Sequence, residues 1–149
     1  MDIKERVNGT VATARKSVNA SVNRPQRTAI LVIGDIVVFL IFAAIGRRSH
    51  SEAGNVLGIA ITALPFAAAW FLVSPFVGAF KRGLEYSTSK MSLRTLLAWL
   101  AAWPIAMLFR GVFVDKGVQL WTFALITLIS NTVLLQAWRV PFSLFFKRR

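Results

Sequence analysis

The chain has 149 residues, a hydrophobic fraction of 56%, a charged fraction of 16% and a formal net charge of +12. Soluble domains run at roughly 45–50% apolar and ~25% charged, so this balance belongs in lipid, in a single domain. Cysteine is absent, which excludes a disulfide, a thiolate nucleophile and a thiolate metal site.

Residues 1–27 are polar and cationic, and this opening lacks both the apolar core and the cleavage site of a signal peptide. Val7, Val11, Ala14, Val18 and Val22 recur at helical spacing with basic and amide residues between them. Two readings stand for this segment: a short amphipathic helix on an anionic membrane surface, or a flexible tail.

Four apolar runs follow, over residues 28–45, 56–80, 93–109 and 117–138. At a rise of ~1.5 Å per residue they cover roughly 25–37 Å, which matches a hydrocarbon core of ~30 Å. The spacing predicts an all-α integral membrane protein, with four transmembrane helices in two hairpins over residues 28–140 and a basic tail over 141–149. Pro65, Pro75 and Pro104 fall inside the second and third runs, where a missing backbone donor predicts kinks. Ala98, Ala102 and Ala106 on the third run, and Ala63 and Ala67 on the second, predict close helix packing or a dimer seam. Similar run endings, Trp70 to Phe76 and Trp138 to Phe142, suggest a weak parallel repeat of the two hairpins.

Charge placement gives the orientation. Fourteen of the eighteen Lys and Arg residues flank the N-terminus, the second connection and the C-terminus; four flank the first and third connections. Basic residues are retained in the cytoplasm, so both termini are expected inside, against anionic inner-leaflet lipids. A basic patch on a soluble protein would suggest nucleic acid, but its placement around apolar runs speaks for the bilayer and against a nucleic-acid partner.

Asp35 is the one acidic residue within the runs. A carboxylate in lipid is costly unless neutral, paired or hydrated, so it is expected to face the bundle interior. Counted from the predicted cytoplasmic ends, Ser74 and Asn131 fall at a similar depth. A cluster of Asp35, Ser74 and Asn131 would relay a proton, coordinate a cation or simply fix packing. At the opposite end, Arg47, Arg48 and His50 leave the first run and Arg110 leaves the third. Basic residues against the positive-inside trend suit an anion, a lipid phosphate or a carboxylate partner, or snorkelling to the surface. One histidine is too few for a histidine-built metal site, so no metal or cofactor is expected. No nucleotide loop, metalloprotease helix or nucleophile elbow occurs, and nothing supports an enzyme.

Gly34-Asp35, Gly46-Arg47-Arg48-Ser49-His50, Thr62-Ala63-Leu64-Pro65-Phe66 with Trp70, Trp99 with Arg110, and Trp138-Arg139 together resemble a prokaryotic family, the domain-of-unknown-function family numbered three-zero-five-four. The resemblance covers about residues 28–140. It implies a multi-span plasma-membrane protein of a prokaryote and supplies no activity. Two functions lead, ahead of a lipid-handling enzyme or scaffold that would use the outer arginines on phosphates. The first, towards which the intramembrane acid leans, is a small transporter-like bundle working as a homodimer, with Asp35 protonatable. The other is a non-catalytic accessory or assembly subunit of a larger energy-transducing or pigment-bearing membrane complex.

Overall fold

The computed structural model describes residues 2–49, 55–114 and 121–147, with the side chains of 15–25, 49 and 147 left aside. Among these residues the secondary structure is entirely helical: α1 (Ile3–Ser49), α2 (Val56–Val77), a single 3-10 turn (Leu84–Tyr86), α3 (Thr88–Phe113) and α4 (Trp121–Lys147). Four segments are long and apolar enough to cross a membrane: Gln26–Arg48, Val56–Val77, Thr88–Phe113 and Trp121–Phe146. Only 22–33% of each is buried by protein, so most of their apolar surface is left for lipid.

The chain divides into two compact units, Met1–Ile33 and Gly34–Arg149. In the first, the sequence left helix and flexible tail as alternatives over residues 1–27, and the chain is helical from Ile3. Thr10 and Thr13 donate to the carbonyls of Arg6 and Gly9, both at 2.8 Å, which satisfies two polar side chains locally. Ile3, Val7 and Val11 are exposed.

The second unit is a bundle of residues 34–49 of α1 with α2, α3 and α4. Buried residues repeat at three- and four-residue spacing on each helix: Asp35, Phe39, Phe42 and Ala43; Ala63, Phe66, Trp70 and Ser74; Met91, Thr95, Ala98, Ala102 and Ala106; Ala124, Thr127, Asn131, Leu135 and Arg139. The alanines let α2 and α3 approach, while Phe39, Trp70 and Trp99 fill the centre with tilted rings 5.7–6.4 Å apart.

Between α3 and α4, side chains stitch an antiparallel pair. The indoles of Trp99 and Trp103 donate to the carbonyls of Leu128 (3.1 Å) and Ala124 (3.0 Å). Gln136 donates to the Ser92 carbonyl (3.0 Å), and Ser143 to the Thr88 hydroxyl (3.0 Å).

The sequence reading ends the fourth run at Trp138 and places a tail from 141. Instead α4 continues through Pro141 to Lys147, with Phe142 and Ser143 buried. The ring of Phe142 lies against Trp138 and Phe146, and these contacts together with the Ser143–Thr88 bond hold the extra turns despite the proline.

Candidate functional site

A long-range polar contact in the bundle joins α1 to α4. Asp35 and Arg139, 104 residues apart, form an ion pair in which both side chains are 0% exposed. The pairing is bidentate: Arg139 Nε donates to Asp35 Oδ1 at 3.0 Å and Nη2 to Oδ2 at 2.5 Å. A fork-to-fork arrangement fixes orientation as well as charge, which a lysine at the same place would not do.

Each partner is also held by a further element. Trp70 Nε1 on α2 donates to Asp35 Oδ2 at 3.0 Å, so the carboxylate is oriented from two sides. Arg139 Nη1 donates to the Ala79 carbonyl at 2.8 Å, with Met91 Sδ beside it at 3.9 Å. The guanidinium carbon lies 5.0 Å from the Trp70 ring centroid and 4.8 Å from that of Phe80, inside the range of cation–π attraction.

The Ala79 carbonyl is where it is because α2 ends in a Schellman turn. Gly78 takes φ 82°, its N–H bonds the Pro75 carbonyl at 3.1 Å, and the Ala79 N–H bonds that of Ser74 at 2.9 Å. That left-handed conformation suits glycine. Next to the acid, Gly34 is set by a different demand: a Cβ there would run into the indole of Trp138. The pair Gly34-Asp35 thus lets α4 come close enough for Arg139 to reach the carboxylate.

The cost of this site in lipid shows why its geometry is complete. A lone Asp or Arg at the centre of a spanning helix costs about 2.5–3.5 kcal/mol on insertion scales. Paired bidentately, hydrogen-bonded and ring-stacked, the two charges cancel in place. The residues further along α1 towards its C-terminal end, Val38, Phe39, Phe42 and Ala43, are all buried and apolar.

Of the polar residues expected to join Asp35, Ser74 and Asn131 are both buried, yet neither bonds to it. Asn131 Nδ2 donates to the Thr127 carbonyl one turn back at 3.0 Å, while its Oδ1 and the Ser74 hydroxyl have no hydrogen-bond partner among the described residues. Asn131 lies eight residues from Arg139, or ~12 Å along α4. Depth counted from Trp138 misses this offset because the helix runs on to Lys147. The partners of Asp35 are Arg139 and Trp70 instead.

At the other end, Arg47 is half-buried against Gly58 and donates to the Thr62 hydroxyl at 3.4 Å. Arg110 lies over the Phe123 ring, 4.5 Å from its centroid, and Arg48 is exposed. His50 lies outside the described residues. Among the described residues no group of three or more His, Cys, Asp or Glu side chains could hold a metal ion.

Sequence reasoning missed Arg139, which entered the tally of cytoplasmic positive charge. The signal against that was the apolar stretch after it, Val140 to Phe146, interrupted only by Ser143: a residue with apolar sequence on both sides belongs to the span.

Comparison with known proteins gives one match. No curated protein and no solved structure matches the chain. A family model described as "Protein of unknown function (DUF3054)" matches residues 32–142, from the turn before Asp35 to just beyond Arg139. The chain belongs to that family of proteins of unknown function, and its four apolar helices mark it as a multi-pass membrane protein.

Proposed function

We propose that this protein is a non-catalytic accessory or assembly subunit of a larger complex in a prokaryotic plasma membrane, with Asp35 and Arg139 acting as an internal clasp. The observation that carries the reading is that every polar heavy atom of the pair is engaged within the chain. Both carboxylate oxygens and all three guanidinium nitrogens are hydrogen-bonded, and aromatic rings enclose them. A proton or ion carrier works through a carboxylate that can trade partners, and here the cation is supplied by the chain itself. The transporter-like alternative loses support accordingly. With its charges cancelled inside, the bundle offers its surroundings mainly the apolar outer faces of its helices, which suit lipid and neighbouring membrane subunits.

On this reading both termini lie in the cytoplasm. With Arg139 moved from the cytoplasmic tally into the interior, fourteen less one leaves thirteen basic residues on the terminal side against four on the other, so the bias survives. Lys81, Arg82 and Lys90 are exposed on that side and suit anionic inner-leaflet headgroups.

The test is purification in nanodiscs followed by native mass spectrometry, paired with proton-flux assays in liposomes. Stoichiometric foreign subunits and no flux are expected. A partner-free homodimer with proton-linked flux that disappears in Asp35→Asn would overturn the reading in favour of transport.

A further inference from the structure

We propose that the cage around Asp35 is a guanidinium-recognition site whose resident ligand is the tethered side chain of Arg139, and that it accepts a free guanidinium compound when that side chain is removed. This stands independently of the accessory-subunit reading.

The cage is built by groups other than Arg139. The carboxylate of Asp35 has its rotation set by the Trp70 indole N–H, which bonds Oδ2 at 3.0 Å. The Ala79 carbonyl, 2.8 Å from Nη1, is presented by the Schellman turn at the end of α2, whose hydrogen bonds involve neither Asp35 nor Arg139. Trp70 and Phe80 offer their ring faces at 5.0 and 4.8 Å. Together these supply a planar acceptor edge, a third acceptor out of reach of a monodentate cation, and π-faces. That is the complement of a flat, delocalised, multiply donating cation.

An ammonium or sodium ion matches little of it. Each is a compact, strongly hydrated charge with no plane to lay on the rings and no fork to match the two carboxylate oxygens. The site therefore discriminates by shape as well as by charge, and methylguanidinium, with an alkylated nitrogen in the position of Nε, is the nearest free mimic. The driving force for filling the emptied cage is the unpaired carboxylate left in a water-poor interior. Any guanidinium-bearing compound that reaches this site in the native protein competes with Arg139, whose tether keeps its effective concentration high.

The experiment uses full-length Arg139→Ala in nanodiscs, titrated with guanidinium, methylguanidinium, ammonium and urea. At ~10 mM, denaturant action on a protein is negligible. Saturable binding of methylguanidinium should raise the unfolding midpoint by about 4 °C or more and change the tryptophan fluorescence. Guanidinium should act in the same direction, ammonium and urea should do nothing, and wild type should not respond. Adding Asp35→Asn should abolish the response.

An equal response to ammonium, a response surviving Asp35→Asn, or a folded Arg139→Ala protein indifferent to both guanidinium compounds would overturn the proposal. Should Arg139→Ala fail to accumulate, cell-free synthesis into nanodiscs with and without methylguanidinium decides the matter. Recovery of folded protein by methylguanidinium and not by ammonium supports the site, and no recovery overturns it.

Discussion

The seam between α3 and α4 and the clasp between α1 and α4 hold the same helix in opposite ways. Along the seam, Trp99, Trp103, Gln136 and Ser143 spread neutral hydrogen bonds over most of the helix length. At the clasp, two full charges meet at one level, with Trp70, Ala79 and Phe80 gathered around them. Neutral interhelical hydrogen bonds in membranes average about 0.6 kcal/mol, because the separated helices also find partners. A buried charge that loses its partner finds none. The seam thus loses one stitch at small cost, whereas the clasp fails as a unit.

The largest expected effect follows from that difference. Arg139→Ala or Asp35→Ala strands one charge among apolar side chains and should cost about 3–5 kcal/mol, read as unfolding free energy in lipid or as lost folded yield. Trp70→Phe keeps a ring face for the guanidinium but deletes the donor to Asp35. Removing a hydrogen bond to a charged group should cost about 1.5–3 kcal/mol in the same assay.

Gly34→Ala tests the approach of α4 rather than its charges. The added methyl meets the Trp138 indole, and overpacking of this kind typically costs about 1–3 kcal/mol, with a changed tryptophan emission expected alongside. The smallest effect belongs to the seam: Trp103→Phe removes its bonds to Ala124 and Thr127 and should cost at most about 1.7 kcal/mol. A seam loss as large as that at Arg139 would erase the distinction between the two regions.

The four spans were legible because lipid demands long apolar runs whatever the function. Asp35 was legible for the complementary reason, since a single acid in such a run has no cheap explanation. Arg139 was not, because it follows the tryptophan where the fourth run loses hydropathy and shares a sign with the basic residues at the end of the chain. Positive-inside counting treats every arginine near a span as equivalent, and only burial separates a retained charge from a paired one. The grouping of Asp35 with Ser74 and Asn131 rested on depth counted from assumed helix ends. The continuation of α4 past Pro141 moves those ends by several residues. The role of Gly34 was hidden for another reason: it depends on where Trp138 falls, more than a hundred residues further along the chain.

The most direct test of the clasp is a double-mutant cycle on unfolding in nanodiscs, comparing Asp35→Leu, Arg139→Leu and the two combined. A self-cancelling pair predicts that each single change is severely destabilising, while the double variant recovers most of the loss, because no unpaired charge remains. Additive losses, with the double variant worse than either single one, would contradict it and leave Asp35 and Arg139 as separate residues with separate work to do.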